Sequence, residues 1–246
     1  MGLKFALGLC YVLYFIFLPL YDKAYWPEPT KKSLSFKIVA ASSFVGIGVF
    51  GMLLTDNISL YSKTMIIGLI CGWFGDILMH IPSKKNMTYL YIGAAGFLVG
   101  HIFYVYAFVN TSASIVADYK FFTTPEFIAF LVVYIAFLLM LKPVFKFNFD
   151  SKFMKYGLYL YGIFLICMLF KVVGFALAYF KYGTANNLIA TVMLIVAGFS
   201  FFTSDLTLGI RLLGGRKDSK FIKSLSLYTY FFAQLLLSTS ILFIKA

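Results

Sequence analysis

Long apolar stretches separated by short polar connections follow one another along the whole chain. A helix that crosses a bilayer needs about 20 mostly apolar residues, and with that length the pattern predicts eight spans. They cover residues 3–20, 36–54, 64–81, 88–109, 126–141, 154–180, 187–210 and 221–244. No connection is long or polar enough to separate two domains. We therefore predict an all-α, polytopic membrane protein with a single bundle of eight transmembrane helices over residues 1–246.

The prolines agree with these boundaries, because proline is disfavoured inside a helix and tolerated at its ends. All of them fall at predicted span ends or in connections: Pro19, Pro27, Pro29, Pro82, Pro125 and Pro143. The pattern thus predicts that no span is interrupted by an internal proline.

Composition supports a membrane protein over a soluble one. The chain is 62% hydrophobic and 12% charged, whereas soluble domains are about 45–50% apolar and about 25% charged. The net charge of +12 raises the question of nucleic-acid binding. The basic residues lie in short connections between spans, however, and no soluble domain is left to carry such a function. We therefore exclude nucleic acid as a partner.

Lysines and arginines are concentrated on one side of the predicted bundle. The other side has few: Lys4, Lys63, Lys120, Lys181 and Lys245. The first, third, fifth and seventh connections hold most of the rest, which are Lys23, Lys31, Lys32, Lys37, Lys84, Lys85, Lys142, Lys146, Lys152, Lys155, Arg211, Arg216, Lys217, Lys220 and Lys223. Cytoplasmic loops carry the excess of lysine and arginine. We therefore predict that these connections are cytoplasmic and that both termini lie on the non-cytoplasmic side.

Two carboxylates remain inside predicted spans, Asp76 in the third and Asp205 in the seventh. A charged side chain at the centre of a bilayer costs about 2.5–3.5 kcal/mol even on the lenient insertion scale, so such residues are candidates for function. With a rise of about 1.5 Å per residue, both lie in the cytoplasmic half of their spans. Equal depth is what a shared site requires, and we predict that the two acids meet in one.

Further polar residues lie at helical spacing in the fourth and eighth spans. His101 and Tyr104 share one face of the fourth, and Tyr230 and Gln234 are four residues apart in the eighth. Ordinary packing and hydrogen bonds between helices are the alternative explanation. Lys171 lies within the sixth span; its side chain either reaches the headgroups, pairs with a buried carboxylate or binds a phosphate.

Four short motifs follow one another along the chain, namely Gly75-Asp76, Gly93-x3-Phe97-x3-His101-x2-Tyr104, Ser204-Asp205 and Thr229-Tyr230-x3-Gln234. In this order they resemble the motifs of the YhhN family of integral-membrane lysoplasmalogenases. The resemblance covers nearly the whole chain. It implies eight transmembrane helices and cleavage of the vinyl ether bond of lysoplasmalogens, giving a fatty aldehyde and glycerophosphoethanolamine or glycerophosphocholine. The family tends to carry Lys-Pro near the start of the second span, where this chain has Lys37-Ile38.

The reaction implied by the resemblance suits the two acids. Protonation of the β-carbon of a vinyl ether creates an oxocarbenium ion, which water attacks, and glycosidases stabilise a similar ion with two carboxyl groups in different protonation states. Two carboxylates in a low-dielectric bundle do not both ionise easily. We therefore expect Asp76 and Asp205 to be the catalytic pair, with either one as the acid.

The remaining site residues would act on the substrate. His101, Tyr104, Tyr230, Gln234 and Ser204 are expected to orient the acids or bind the glycerol backbone. At the cytoplasmic rim, Lys37 or Arg211 is expected to meet the phosphate. The expected partners are the lysophospholipid substrate and membrane lipids, and the reaction needs no metal or cofactor. The membrane would be the plasma membrane in a bacterium or the endoplasmic reticulum in a eukaryote.

Three other functions compete with this hypothesis. A proton-coupled carrier would use Asp76, His101 and Asp205 as a relay, but carriers often interrupt helices at mid-membrane, and no internal proline is predicted here. An intramembrane aspartyl protease would need a Gly-x-Gly-Asp motif, whose spacing differs from that of Gly72-Trp73-Phe74-Gly75-Asp76. A purely structural membrane protein would leave both buried acids unexplained.

Overall fold

Eight α-helices make up the regular structure of the residues that the structure describes. The computed structural model describes residues 1–81, 87–149, 151–183, 187–214 and 219–244, and these residues contain no β-strand. In chain order the helices are α1 (Gly2–Ala24), α2 (Lys31–Leu54), α3 (Leu60–His80), α4 (Met87–Ile115), α5 (Thr124–Met140), α6 (Lys152–Tyr182), α7 (Asn187–Leu213) and α8 (Lys220–Ser240). The predicted all-α fold is confirmed, and each predicted span overlaps one helix.

Six of these helices are long and apolar enough to cross a membrane, namely α1, α2, α3, α4, α6 and α7. The protein is therefore a multi-pass integral membrane protein. Helix α5 is apolar but has only 17 residues. Helix α8 has 21 residues and a high content of serine, threonine and other polar side chains. The predicted basic residues Lys84, Lys85, Arg216 and Lys217 lie outside the described part of the chain.

Polar residues in the connections determine where several helices begin. The Thr30 side chain accepts a hydrogen bond from the Ser33 backbone, and the Ser33 side chain accepts one from the Thr30 backbone, which makes a capping box at the start of α2. Thr123 and Glu126 form the same arrangement at the start of α5. Pro125 occupies the first turn of α5, where its missing N–H would have no partner in any case.

The prediction for Pro19 is wrong, because α1 continues through this residue to Ala24. A proline inside a helix removes one backbone hydrogen bond, but contacts beyond it hold the extra turn. Tyr21 is buried, and Lys223 of α8 donates a 2.8 Å hydrogen bond to the Asp22 side chain. Among the other prolines, Pro82 lies outside the described residues.

Several helix ends meet at one end of the bundle, which we call the Asp22 end. There the last turn of α1 contacts the first turn of α8 through Asp22 and Lys223. The last residue of α3, His80, shares a hydrogen bond of 3.0 Å between its Nε2 and the Oγ of Ser33 in the first turn of α2. Helix α7 ends on the same side, where the Leu213 carbonyl accepts a hydrogen bond from the chain that precedes α6.

Helix α8 packs against α1, α2, α3 and α7. Many of its polar side chains are buried, because an unpaired polar group in hydrocarbon is costly. The buried ones are Lys223, Ser226, Tyr230, Gln234, Ser238 and Ser240. A helix of this composition supplies polar groups at the centre of an apolar bundle, and the candidate site is built around it.

Candidate functional site

A cavity of about 80 Å³ lies towards the Asp22 end and is lined by both Asp76 and Asp205. We call it the polar cavity, because its wall also includes Tyr21, Tyr25, Lys37, Ser204, Arg211 and Lys223. Asp76 comes from α3 and Asp205 from α7, which the sequence separates by more than a hundred residues. The fold therefore brings the two predicted acids to the wall of one cavity.

Asp76 is buried and paired with a cation. The Nζ of Lys37 is 3.0 Å from its Oδ1 and also donates to its backbone carbonyl at 2.8 Å. The Tyr230 hydroxyl donates to Oδ2 at 2.8 Å. Each carboxylate oxygen thus accepts from a donor, one of them charged, and this arrangement favours the ionised form of Asp76.

Lys37 does not lie at the rim, where it was expected to meet the phosphate. Its side chain is 10% exposed and forms the ion pair with Asp76. The sequence does not reveal this pairing, because it depends on the rotation of α2 against α3. The Asp76 carboxylate largely neutralises the positive charge of Lys37. The main effect of Lys37 is therefore on Asp76 and not on a phosphate.

A chain of hydrogen bonds holds Tyr230 in position. The Tyr104 hydroxyl donates to Oε1 of Gln234 at 2.7 Å, and Nε2 of Gln234 donates to the Tyr230 hydroxyl at 3.1 Å. Tyr230 then donates to Asp76. All three side chains are buried. Tyr104 and Gln234 therefore position Tyr230 from behind instead of lining the polar cavity.

Gly72 leaves room for the hydrogen-bonded side chains of Gln234 and Tyr230. A Cβ atom added at Gly72 would lie 2.7 Å from Nε2 of Gln234 and 3.1 Å from the Tyr230 hydroxyl. One added at Gly75 would lie 3.0 Å from the Phe97 ring. Small residues allow close helix contact in membranes, and here they let α8 and α4 place side chains directly against α3.

Asp205 has a different environment. The Tyr161 hydroxyl donates to its Oδ2 at 2.6 Å, and Nε2 of His101 lies 3.6 Å from the same oxygen. Within the described ranges, no lysine or arginine forms an ion pair with Asp205. Burial without a cationic partner favours the neutral, protonated form of a carboxyl group.

His101 lies beside Asp205 without a hydrogen bond to it. Its Nδ1 is 2.8 Å from the Phe97 carbonyl, so Nδ1 carries the proton in the neutral ring. Nε2 is buried and has no hydrogen-bond partner in the described part of the chain. Nε2 is therefore the acceptor nitrogen of the neutral ring, and it lies 3.6 Å from Oδ2 of Asp205.

Ser204 lines the polar cavity, but its hydroxyl is engaged. It donates to the Ser226 carbonyl at 3.0 Å, and the Ser226 hydroxyl donates to the Ser204 carbonyl at 3.1 Å. This reciprocal pair ties α7 to α8 one residue before Asp205. Ser204 is therefore placed to hold the position of Asp205.

A second cavity, of about 310 Å³, lies beside the first between α4, α6 and α7. We call it the apolar groove; its wall includes Leu90, Ala94, Leu98, Phe153, Gly157, Leu160 and Leu212. Four residues line both cavities, namely Met79, Phe97, Asp205 and Leu208. Asp205 thus stands at the junction between a polar cavity and an apolar one, an arrangement that suits an amphiphilic molecule.

Among the described residues, three cations line the polar cavity, and two of them are paired with a carboxylate. Lys37 pairs with Asp76 and Lys223 with Asp22. Arg211 donates only a long hydrogen bond of 3.4 Å to the Tyr25 hydroxyl. Among the described residues it forms no ion pair, so its charge is available for an anion.

Lys171 lies away from both cavities. Its Nζ is 2.7 Å from Oε1 of Glu126, donates to the Phe121 carbonyl and lies over the Phe122 ring. Of the roles open to it, pairing with a carboxylate is the one observed. The contact joins α6 to the start of α5.

Sequence reasoning missed two residues of the polar region. Tyr161, which donates to Asp205, is one of 18 tyrosines, and nothing local distinguishes it. Lys223 was counted among the connection charges, yet it lies in the first turn of α8 and is 2% exposed. Both acquire their roles from residues on other helices.

A sequence model of the YhhN family matches residues 32–241. The matched range extends from the first turn of α2 to the end of α8 and includes all the predicted site residues. No curated protein matches the chain, and no solved structure matches it.

Proposed function

The chain belongs to the YhhN family, and from this premise we propose that it is a lysoplasmalogenase. The reaction is hydrolysis of the vinyl ether bond of lysoplasmenylethanolamine or lysoplasmenylcholine to a fatty aldehyde and the glycerophospho-base. The observation that carries the proposal is the shared polar cavity, whose wall has two carboxyl groups in different environments. Asp205 also borders an apolar groove, as an acid acting on a lipid chain should.

The two acids have separate roles in this mechanism. Asp76 is the ionised member, because Lys37 and Tyr230 both donate to it. Asp205 is the protonated member, because it is buried beside Tyr161 and the acceptor nitrogen of His101. Environments that favour opposite protonation states are typical of acid and base assignments in enzymes.

Catalysis begins with transfer of the Asp205 proton to the β-carbon of the vinyl ether. The C=C π bond supplies the electron pair for the new C–H bond, and positive charge develops on the α-carbon and the ether oxygen. The Asp76 carboxylate stabilises this oxocarbenium ion. Tyr161, which donates to Asp205, stabilises the carboxylate that the transfer leaves behind.

Water completes the reaction. It attacks the α-carbon and returns a proton to Asp205, which gives a hemiacetal. Collapse of the hemiacetal breaks its bond to the glycerol oxygen, with the hydroxyl proton moving to that oxygen. The products are an aldehyde and an alcohol, and both carboxyl groups regain their starting protonation states. The chemistry requires no metal or cofactor.

The basic residues in the wall of the polar cavity would bind the phosphate of the headgroup. Arg211 is the cation without an ionic partner among the described residues, so it is the best candidate to bind the phosphate. Tyr25, which accepts a hydrogen bond from Arg211, would help to orient its guanidinium group. Guanidinium groups bind phosphate through paired hydrogen bonds.

We further propose that α5 and α8 also cross the membrane, in a single eight-span bundle over residues 1–246. Both termini would lie on the non-cytoplasmic side, and the Asp22 end would face the cytoplasm. The membrane would be the plasma membrane in a bacterium or the endoplasmic reticulum in a eukaryote. Reporter fusions at both termini that report a cytoplasmic location would contradict this topology.

The test is aldehyde release from a lysoplasmalogen by the purified protein in detergent. Asp76→Asn and Asp205→Asn should each lose turnover by about 10²–10⁴-fold, the range of general acid–base catalysis. Glu126→Gln is the matched control, because the Glu126 carboxylate lies outside both cavities, and this variant should retain activity. Activity that survives either aspartate substitution removes that residue from the chemistry.

Heavy water gives a sharper test of the mechanism. In D2O the aldehyde should contain one deuterium at the carbon next to the carbonyl, because the acid delivers its proton there. Immediate reduction to the alcohol prevents later exchange. The saturated ether analogue should not be cleaved. Proton-coupled transport of the lipid across vesicles without hydrolysis would instead support the carrier.

A further inference from the structure

The apolar groove raises a question that the polar cavity does not answer, namely how a lipid chain reaches Asp205. The groove extends from Tyr161 and Asp205 at its deep end towards Leu90, Phe153 and Leu213 at the Asp22 end. Its α4 wall runs over residues 90–98, which is about 12 Å of helix at the usual rise per residue. Its volume of about 310 Å³ is at the small end of the range for ligand pockets.

The groove is open at the side. Phe153 and Leu160 on its α6 wall are 70% and 50% exposed, and they lie on a helix that is long and apolar enough to cross the membrane. The exposed face of such a helix contacts lipid. A hydrocarbon chain can therefore move from the bilayer into the groove without passing through water.

Aromatic contacts between α4 and α6 lie near the two ends of the groove. Tyr91 of α4 and Phe153 of α6 make an edge-to-face contact with ring centroids 5.2 Å apart. At the deep end, His101 and Tyr161 make another at 5.6 Å. Between these contacts the same two helices contribute small residues, which keep the groove open.

Of the two glycines among the described residues of the groove wall, Gly157 and Gly209, Gly157 has the more open surroundings. No described atom outside its immediate chain neighbours and local helix backbone lies within 4 Å of a Cβ added at this position. A side chain there would therefore meet no clash and would extend into the groove. Packing elsewhere in the bundle gives no reason for a glycine at 157, whereas an open groove does.

The residues that line the apolar groove indicate which kind of molecule it can bind. The groove wall is apolar apart from Tyr91, Tyr161 and Asp205 among its described residues, and Asp205 faces the polar cavity as well. A molecule that fits both cavities has one hydrocarbon chain, a reactive group at the start of that chain and an anionic head. A second chain would have to enter the polar cavity, whose volume is about 80 Å³ and whose wall is charged.

We propose that the groove between α4, α6 and α7 receives the single hydrocarbon chain of the substrate sideways from the bilayer, and that Gly157 determines which chains fit. The inference rests on the proposed function, because it takes the substrate to be a single-chain ether lipid. It adds the route of access and a specificity-determining position, neither of which the acid pair requires.

The experiment measures chain binding without hydrolysis. The probe is an acyl-linked lysophosphatidylcholine with a diazirine at the end of its chain, which has no vinyl ether to be cleaved. After irradiation of the purified full chain in detergent, labelled peptides are identified by mass spectrometry. We expect label on residues 90–98 or 153–160, reduced at least tenfold by excess unlabelled lysophosphatidylcholine.

Gly157→Leu should reduce this labelling at least fivefold and shift hydrolysis towards shorter chains. Gly8→Leu is the matched control, since a Cβ at Gly8 in α1 also meets no described atom within 4 Å, and it should change neither. If Gly157→Leu does not give a monodisperse protein, Ala95→Leu, on the α4 wall of the groove, takes its place.

The outcomes separate the two proposals. One outcome is labelling of the groove that is lost in Gly157→Leu, with no aldehyde release from any lysoplasmalogen. It would support chain binding in the groove and contradict the proposed enzyme activity. Hydrolysis that Gly157→Leu, or Ala95→Leu in its place, leaves unchanged for every chain length, with label outside the groove, overturns the groove proposal and retains the proposed enzyme. Equal labelling of wild type and Gly157→Leu also overturns it.

Discussion

Replacing Lys37 by methionine should destabilise the protein, because it leaves Asp76 buried without its cation. The charges are 3.0 Å apart, and at an effective dielectric constant of 20 their attraction is about 5.5 kcal/mol. Breaking a buried ion pair by removing one partner typically costs about 3–5 kcal/mol. At about 2–4 °C per kcal/mol for a chain of this size, we expect the melting temperature to fall by about 6–20 °C.

The double variant Lys37→Met/Asp76→Asn separates the charge from the packing. Removing both partners leaves no uncompensated charge, so most of the lost stability should return. Turnover should not return, because the carboxylate that stabilises the oxocarbenium ion is missing. Thermal unfolding followed by intrinsic fluorescence in detergent, together with aldehyde release, gives both quantities for each variant.

Lys171→Met is the control for a buried lysine outside the polar cavity. Its partner Glu126 is 25% exposed, so water screens the remaining charge and the melting temperature should fall less than for Lys37→Met. Aldehyde release by this variant should match that of the wild type. A Lys37→Met protein that unfolds within 2 °C of the wild type, or a double variant no more stable than Lys37→Met, would contradict a stabilising ion pair between Lys37 and Asp76.

Three further substitutions test other parts of the site. Tyr161→Phe removes the donor to Asp205; a hydrogen bond to a charged group contributes about 1.5–3 kcal/mol, so kcat should fall about 10–100-fold with KM little changed, and an unchanged kcat contradicts the acid role. Gly72→Val would displace Gln234 and should lower both melting temperature and turnover, whereas wild-type values would show that α3 and α8 can separate freely. Arg211→Gln should raise KM at least tenfold for phosphate-bearing substrates, and an unchanged KM excludes Arg211 from phosphate binding.

The sequence by itself determined the helical architecture and pointed to the two acids. Both follow from local physical chemistry. An apolar stretch of about 20 residues has to satisfy its own backbone hydrogen bonds in lipid, which makes it a helix. A carboxylate inside such a stretch is costly wherever the helix packs, so Asp76 and Asp205 could be identified without knowing their neighbours.

Other properties depended on how helices rotate against one another. The spacing of residues does not reveal that Lys37 of α2 meets Asp76 of α3 while Tyr161 of α6 meets Asp205 of α7. The different environments of the two acids, and with them our assignment of acid and anion, therefore emerge only in the assembled bundle.

The position of Pro19 shows that a helix boundary can also depend on tertiary contacts. Its local chemistry predicts an end to α1, but the helix continues to Ala24. The contact between Asp22 and Lys223 of α8 holds the extra turn, and those residues are about two hundred positions apart. Tertiary structure decides such features because a partner from another helix can outweigh a local preference of a few kcal/mol.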